Sequence, residues 1–216
     1  MSEQNGRILC CSDIHGHLNA FRDVLFQARW RPARDTLMLL GDYIDRGPRP
    51  RHMVNELRVL LRCPGVVALR GNHEVMLWEY LNDRIPRDQY LKNGGEVTLK
   101  AYEDDPPALQ ADARFLVGLP AFHETDDYIF VHAGLRPDLP LDGQCDEDLV
   151  WIREEFIRGY RGKTVVFGHS PTTLIDGTTD IYWGCDKIGI DTGVAYGGRL
   201  SLLELPSRTV YQAPPD

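Results

Sequence analysis

Apolar and polar positions follow one pattern three times in the first eighty residues. A short apolar run is followed by a polar cluster and then by a segment with helical spacing, which is typical of consecutive βα units. The predicted strands cover residues 8–11, 36–40 and 66–69. The first two helices are marked by Phe21, Val24, Leu25 and Ala28 and by Val54, Leu57, Leu60 and Leu61, and the third is the apolar segment 75–81.

The second half of the chain is less regular. Residues 82–127 contain NGG, DDPP and scattered charges, which predict a helical and loop-rich insertion. Strand patterns resume at 128–131, 164–167, 187–190 and 200–205, and the terminal QAPPD is predicted to be frayed. No long repeat, linker or low-complexity tract indicates a second domain, so the sequence predicts one α/β domain over residues 1–216.

Polar clusters stand directly after five of the predicted strands. Ligands of open α/β sheets bind outside the carboxyl ends of the strands, so these loops are expected to converge. Asp13 and His15 are two residues apart in an extended segment, and their side chains are expected on the same face. Each of the four later clusters contains a further ligand-type residue: Asp42, Asn72, His132 and His169.

These residues form a mixed oxygen and nitrogen set without sulfur. Such a set suits manganese, iron or zinc, and it is large enough for two ions roughly 3.5–4 Å apart. Each residue alone has a simpler interpretation, because an Asp in a turn usually caps the backbone and a lone His beside a strand is usually a core residue. Turn chemistry has no need of histidine, however, so the combination favours a metal centre.

Composition narrows the classes of function. The formal net charge of −8 argues against broad binding to long nucleic acids. No apolar run reaches the roughly 20 residues of a membrane span, and the first residues do not resemble a signal peptide. The five cysteines are an odd number without CxxC spacing, so we expect reduced thiols in a cytoplasmic protein.

The motifs DIHG, GDYIDRG, GNHE, HAG and GHS occur in this order. Together they resemble the motif series of the phosphoprotein phosphatases, within the calcineurin-like metallophosphoesterases, over about residues 8–205 and most closely the compact bacterial and phage type. The resemblance implies a β-sandwich of mixed sheets flanked by helices. It also implies two divalent cations, with manganese expected and iron or zinc as alternatives.

By the same resemblance, the two ions share Asp42. One is held by Asp13, His15 and Asp42, and the other by Asp42, Asn72, His132 and His169. Hydroxide held between the ions would attack phosphorus directly.

Four further residues have implied catalytic roles. His73 protonates the leaving oxygen, and Asp45 orients its ring. Arg46 and Arg153 bind the phosphoryl oxygens through their planar guanidinium groups, together with Asn72. Arg153 lies in the helical pattern DEDLVWIREEF, where the simpler interpretation is a surface ion pair with a neighbouring Glu.

Several residues depart from the motifs or lie outside them. Ser12 occupies a position that is usually glycine in the family, which alters the turn and removes no ligand. We expect Asp191 and Tyr196 to shape a turn. The remaining histidines are expected to be solvated or structural: His17, His52 and His123.

The implied function is a metal-dependent phosphatase acting on phosphoserine and phosphothreonine proteins. The alternatives are a dinucleoside polyphosphate (diadenosine tetraphosphate) hydrolase, a cyclic-nucleotide phosphodiesterase or nuclease, and a non-catalytic phosphate-binding module. Neither a membrane nor a long nucleic acid is an expected partner. Substrate choice is predicted to lie in residues 82–127, where four side chains could contact an extra phosphate or stack on a base: Arg84, Arg87, Tyr90 and Lys92.

Overall fold

The computed structural model describes residues 6–216 and contains two five-stranded sheets. The strands are β1 (Ile8–Cys11), β2 (Thr36–Leu39), β3 (Val66–Ala68), β4 (Phe122–Glu124), β5 (Tyr128–Val131), β6 (Thr164–Phe167), β7 (Tyr182–Trp183), β8 (Lys187–Gly189), β9 (Leu200–Leu205) and β10 (Thr209–Ala213). The helices are α1 (Leu18–Gln27), α2 (Pro50–Leu60), α3 (Asn72–Leu81), α4 (Arg87–Lys92), α5 (Glu96–Ala101), α6 (Pro106–Val117), α7 (Asp146–Trp151), α8 (Glu154–Gly159) and α9 (Thr172–Ile175).

Both sheets are mixed. The first has the order β10-β9-β1-β2-β3, with β1, β2 and β3 parallel and β9 antiparallel to both β1 and β10. The second has the order β4-β5-β6-β8-β7, with a parallel centre and an antiparallel strand at each edge. The predicted sandwich of mixed sheets flanked by helices is confirmed.

The continuous apolar runs are explained by burial of the strands on both faces. In β2, Leu37 and Leu39 pack against the helical layer, whereas Met38 points to the opposite face, towards the second sheet. In β6, Val166 meets this same inter-sheet core while Val165 and Phe167 pack against α7 and α8. The molecule therefore has four layers: helices, sheet, sheet and helices.

The predicted βα units are present, and the third helix begins earlier than the apolar pattern indicates. Helix α3 starts at Asn72 rather than at residue 75, so the NHE of the GNHE motif forms its first turn. The backbone N–H of Gly71, at the position before the helix, donates to the Glu74 carboxylate at 2.8 Å. Two polar residues with predicted roles, Asn72 and His73, are thereby fixed at a helix start.

The C-terminal tail is ordered, so the prediction of fraying is wrong. Strand β10 pairs with β9 along Thr209–Ala213. Beyond it, the Asp216 carboxylate accepts the backbone N–H groups of Asn19 and Ala20 at 3.1 and 2.9 Å. Helix α1 has no capping side chain at its own N-cap, and this distant carboxylate satisfies two of its free N–H groups.

Residues 82–127 form α4, α5 and α6 with connecting loops, as the sequence predicts, and end in the unpredicted edge strand β4. All five cysteines are free. Within residues 6–216, none of the helices combines the length and the apolar character that a membrane span requires.

Candidate metal centre

The loops after β1 and β2 continue the strand pairing beyond the sheet. The backbone N–H groups of Asp13 and His15 donate to the carbonyl oxygens of Gly41 and Asp42 at 3.1 and 2.8 Å. These bonds hold the DIHG and GDYIDRG motifs side by side. Backbone hydrogen bonds therefore bring the first two predicted ligand clusters together.

Glu74, to which the sequence pattern assigns no role, joins the loop after β3 to the loops after β1 and β2. Its carboxylate accepts the backbone N–H groups of Asp42 and Tyr43 at 2.8 and 2.9 Å, in addition to that of Gly71. Gly71 must be glycine, because a Cβ there would overlap the Asp42 carboxylate. The buried Glu74 side chain thus fixes the GDYIDRG loop against the start of α3.

Three of the predicted histidine ligands have one ring nitrogen bound to a backbone carbonyl. His15 Nδ1 lies 2.8 Å from Ile44 O, and His132 Nδ1 lies 2.7 Å from Leu40 O. His169 uses Nε2, at 3.2 Å from Trp151 O. A backbone partner on one nitrogen fixes the tautomer and leaves the other nitrogen as a lone-pair donor, as in metal-ligating histidines.

Asp42 lies between two groups of donors. Its Oδ2 is 3.6 Å from His15 Nε2, and its Oδ1 is 3.4 Å from His132 Nε2. The amide oxygen of Asn72 is 3.0 Å from the same nitrogen of His132. Donor atoms lie within 4.8 Å of one another in two sets that share Asp42: His15, Asp42 and His73, and Asp42, His132 and His169.

Asp13 connects the two sheets at this site. Its Oδ2 accepts the backbone N–H of His169 at 2.9 Å and the hydroxyl of Ser12. The serine at the usual glycine position therefore adds a hydrogen bond to the first carboxylate, in agreement with a change that removes no ligand. Together with the contact from His132 to Leu40, this bond places the ligands of both sheets along one line of contact, the seam between the sheets.

The backbone is strained at the same positions. Among the ten described non-glycine residues with positive φ, six belong to the motifs: Asp13, His15, Asp42, Asp45, Arg46 and His169, with φ between 45° and 66°. Such conformations cost on the order of 1–3 kcal/mol each and concentrate at functional sites. The surrounding hydrogen bonds maintain them.

Burial shapes the electrostatics of the site. It raises the pKa of Asp42 well above its usual value, and the charges of Asp13 and Glu74 add to this. It lowers the pKa of His15 and of His169, with further lowering by a second histidine in each case. Neutral imidazoles and closely spaced carboxylates are the donor states that divalent cations bind and stabilise.

These observations fit a pair of divalent cations. The donors are buried oxygen and nitrogen atoms, the tautomers are fixed, and one carboxylate is shared by two donor sets. No cysteine belongs to either donor set among residues 6–216. The two cysteines nearest in sequence to the ligands, Cys10 and Cys11, lie within the apolar cores on either side of β1.

His73 differs from the other site histidines. Its Nδ1 lies 2.7 Å from Asp45 Oδ2. Its buried Nε2 has no hydrogen-bond partner among the described residues and lies 3.8 Å from Asp42 Oδ2. Burial lowers the pKa of His73, and it raises the pKa of Asp45 to about 7 against the hydrogen bonds of Thr98 and Tyr90. The free nitrogen of the pair thus points towards Asp42, the carboxylate that both donor sets share.

Each of the two predicted arginines contacts a histidine of a different donor set. Arg46 Nη1 is 2.8 Å from His15 Nε2, and its guanidinium stacks on the Tyr196 ring, 5.1 Å from the centroid. Arg153 Nη1 donates to His169 O and Ser170 Oγ at 2.9 and 3.1 Å. Arg153 thus contacts the site rather than a neighbouring Glu, so the surface ion pair is not its role.

Three residues outside the proposed ligand set have structural contacts near the site. Asp191 shapes a turn by accepting the Gly193 N–H at 3.0 Å, and it lies buried near Asp13, which together with burial raises its pKa. Tyr196 forms a short helical turn and additionally supports Arg46. His17 is structural, since its Nδ1 accepts the Asp216 N–H at 3.1 Å.

Residues of the segment 82–127 form hydrogen bonds to Arg46 and Asp45 of the site. The N–H of Arg46 donates to Gly94 O at 3.0 Å, and the hydroxyls of Tyr90 and Thr98 donate to Asp45. Tyr90 is fully buried, so the prediction that it stacks on a substrate base is wrong. Arg84, Arg87 and Lys92 are exposed, and Lys92 pairs with Asp88.

Comparisons with known proteins agree with this geometry. Residues 6–198 match the calcineurin-like phosphoesterase family. The chain is 30% identical to serine/threonine-protein phosphatase 1 of Salmonella typhimurium over 207 residues, which cover 89% of each chain. It is 26% identical to the bis(5'-nucleosyl)-tetraphosphatase PrpE of a Geobacillus strain over 94% of this chain and 91% of the relative.

Among solved structures, a candidate diadenosine tetraphosphatase superposes with a TM-score of 0.75 at 24% identity. The superposition covers 100% of this chain and 96% of the other, so it supports the fold. The sequence match and the two-sheet architecture lead to the same result: this chain belongs to the calcineurin-like phosphoesterase family.

Proposed function

We propose that this phosphoesterase is a manganese-dependent phosphatase that removes phosphate from phosphoserine and phosphothreonine side chains of proteins in the cytoplasm. The observation that carries the proposal is the environment of His73. Its Nε2, which has no hydrogen-bond partner among residues 6–216, lies 3.8 Å from Oδ2 of the shared Asp42, and Asp45 fixes the opposite nitrogen. A module that only binds phosphate has no use for a buried proton donor in this position.

The ligands divide between two ions. One ion would be held by Asp13, His15 and Asp42, and the other by Asp42, Asn72, His132 and His169. When bound, the ions would supply Lewis acids that activate water and neutralise phosphoryl charge. The donor set contains imidazoles as well as carboxylates, which favours manganese over magnesium.

The side chains around the donors orient the phosphate and supply the proton. Arg46 and Arg153 present guanidinium groups beside different donor sets, and their planar forks match two phosphoryl oxygens each. The Asn72 amide lies beside His132 at the same edge. His73 donates the proton on Nε2 to the leaving oxygen, while Asp45 retains the Nδ1 hydrogen bond and prevents ring rotation.

A surface groove beside the second donor set supports a polypeptide substrate. It has a volume of about 720 Å³ and runs between α3 and α7. The Trp151 ring, in its wall, makes an edge contact with the His169 ring at 5.7 Å. An open groove whose wall contacts the His169 ring can accommodate the residues that flank a phosphorylated side chain.

The charge of this groove favours a peptide over a polyphosphate. Glu79, Asp146 and Glu147 line it. The ion pair between Arg70 and Asp146, at 2.7 Å, cancels one charge of each sign, which leaves Glu79 and Glu147 against Arg84. An acidic wall attracts basic residues near a phosphorylation site and repels a chain of several phosphates.

Hydrolysis of dinucleoside polyphosphates is the second candidate function. It is supported by Trp78 and Trp151 in the same groove, because indole rings stack on nucleotide bases. The similarity to a bis(5'-nucleosyl)-tetraphosphatase also supports it. A more basic groove should slow the hydrolysis of a phosphopeptide and speed the hydrolysis of a dinucleoside polyphosphate.

The metal requirement is tested with para-nitrophenyl phosphate. We expect the chelated protein to be inactive and manganese to restore activity more fully than magnesium. Metal content is measured in parallel. Full activity of protein with verified metal loss would contradict the proposal.

Substrate class is tested by comparing kcat/KM for a phosphothreonine peptide with flanking basic residues and for diadenosine tetraphosphate. We expect the peptide to be the better substrate. Glu147→Lys is expected to lower the peptide value and raise the tetraphosphate value roughly threefold to tenfold, without affecting para-nitrophenyl phosphate. The control is Glu103→Lys, an exposed change outside the groove. A wild-type preference for the tetraphosphate would favour the second function instead.

A further inference from the structure

The carboxylate of Asp45 is the centre of a buried hydrogen-bond cluster. One oxygen, Oδ2, binds His73 Nδ1 at 2.7 Å. The other, Oδ1, accepts the hydroxyl of Tyr90 at 2.7 Å and the hydroxyl of Thr98. Thr98 Oγ1 also accepts the backbone N–H of Asp45 at 3.0 Å. All four residues are fully buried.

The two hydroxyls come from the segment that the catalytic motifs leave unexplained. Tyr90 lies in α4 and Thr98 in α5, and the turn between these helices contains Gly94 and Gly95. A Cβ on Gly95 would overlap the Tyr90 ring, so this glycine permits a close approach. The Tyr80 ring of α3 stacks on Tyr90 with centroids 5.1 Å apart. The tyrosine is therefore enclosed on several sides.

We propose that Tyr90 and Thr98 are positioning residues for the proton donor: they fix the Asp45 carboxylate, and through it the direction in which His73 Nε2 points. This inference deepens the proposed function and rests on it, because it assigns a role in the reaction to residues outside the family motifs.

The two hydroxyls restrain rotation of the Asp45 carboxylate. A carboxylate held by one hydrogen bond can turn about its terminal torsion, which has a broad energy well. Two hydroxyls on Oδ1 leave Oδ2 as the acceptor for His73. Without the two hydroxyls, the His73 imidazole loses a fixed hydrogen-bond partner. Misplacement of a reacting group by about 1 Å can lower the rate roughly 10²-fold.

A purely structural role has a different signature. Loss of a buried hydroxyl can lower stability or disturb the whole site, which would slow all substrates equally. Loss of proton-donor alignment slows mainly those substrates whose leaving group needs protonation. Para-nitrophenyl phosphate and phenyl phosphate have similar size, but the phenyl leaving group is the more basic of the two.

The experiment measures kcat, KM and metal content for Tyr90→Phe and Thr98→Val with both aryl phosphates. We expect kcat for phenyl phosphate to fall roughly tenfold to a hundredfold, with a much smaller fall for para-nitrophenyl phosphate and unchanged KM and metal content. Thr98→Ser retains the hydroxyl and should restore most of the rate. Tyr90→Phe and Thr98→Val each remove a different hydroxyl from Asp45, so the test requires only one of the two variants to fold correctly.

The matched control is Tyr102→Phe. Tyr102 is a buried tyrosine of the same segment whose hydroxyl binds Asp112 at 2.7 Å rather than Asp45. We expect Tyr102→Phe to leave the ratio of kcat for phenyl phosphate to kcat for para-nitrophenyl phosphate unchanged. An equal fall for both substrates in the Tyr90 and Thr98 variants, or no fall at all, would overturn the inference.

A double variant tests whether the effect passes through His73. In a His73→Ala background, Thr98→Val should cause no further loss, because no ring remains to be positioned. An additive loss would refute the positioning role. If wild-type, metal-loaded protein hydrolyses neither aryl phosphate, the proposed function itself fails; if only the leaving-group effect is missing, this inference alone fails.

Discussion

His73 has two ring nitrogens with different surroundings. Nδ1 is bound to Asp45, and the buried Nε2 has no hydrogen-bond partner in the described part of the chain. We expect His73→Ala to lower kcat by roughly 10²–10⁴, the range for loss of a general acid, with metal content preserved. The loss should be larger for a phosphothreonine peptide than for para-nitrophenyl phosphate, whose leaving group needs little protonation.

Steady-state kinetics on both substrates check this expectation, with bound metal measured for each protein. His52→Ala is the control, because His52 is exposed on α2. Equal losses on the two substrates would show that His73 is not the proton donor.

At the residue scale, the sequence motifs predicted which side chains gather at the site. The structure brings together the six proposed ligands, the Asp45–His73 pair and both arginines. Glu74, Tyr90 and Thr98 were missed as partners of the site. Glu74 binds backbone 32 positions away, and the two hydroxyls reach Asp45 over 45 and 53 positions. No local pattern encodes such pairings.

A cluster of charges connects the central strands of the first sheet. Arg7, just before β1, binds Asp35 at 3.0 Å and Glu204 of β9 at 2.7 Å. Burial acts to raise the pKa of both carboxyl groups, but the hydrogen bonds they accept, with Arg7 among the donors, outweigh it and hold both values below the ordinary range. This stabilisation is present above the unfolded pKa values, near pH 4, and is lost as the pH falls through the folded ones.

We expect Arg7→Ala to lower the free energy of unfolding by about 2 kcal/mol at neutral pH, because it leaves Asp35 buried with fewer donors. The difference from the wild type should shrink as the pH falls from about 5 to about 3. Urea unfolding across this range measures both effects. Arg22→Ala, which breaks the exposed pair with Glu56, should change stability by less than about 1 kcal/mol. A difference that is independent of pH would contradict the assignment.

Interior strands were predicted closely, whereas three of the four edge strands were missed. Strands such as β5 and β6 are buried on both faces, so their apolar runs are continuous and easily found. The missed strands β4, β7 and β10 all lie at sheet edges, where exposure weakens the pattern. The tail was misjudged because its order depends on β9 and α1, which are distant in sequence.

At the scale of the whole molecule, the fold class followed from the motif series, but the sheet order did not follow from the strand pattern. Strand β9 pairs with β1 across nearly the full chain length. Consecutive βα units predict neighbours such as β1 and β2, whereas periodicity does not identify an antiparallel partner from the other end of the chain.

The seam between the sheets has a thermodynamic consequence. Asp13, Asp42 and Asn72 follow strands of one sheet, whereas His132 and His169 follow strands of the other. An ion held by Asp42, Asn72, His132 and His169 would act as a crosslink that exists only in the folded chain. By linkage, an ion at a hundredfold excess over its Kd adds about 2.7 kcal/mol to stability, which corresponds to a rise in Tm of roughly 5–10 °C for a chain of this size.

We therefore expect chelation to lower Tm by that amount and added manganese to restore it in a concentration-dependent manner. Calorimetry or dye-monitored melting measures this without reference to activity. Asp42→Asn, which changes the shared carboxylate, should show little response to manganese. A Tm that is unchanged after verified metal loss would mean that the ions do not join the two sheets, so that each half of the sandwich is stable without them.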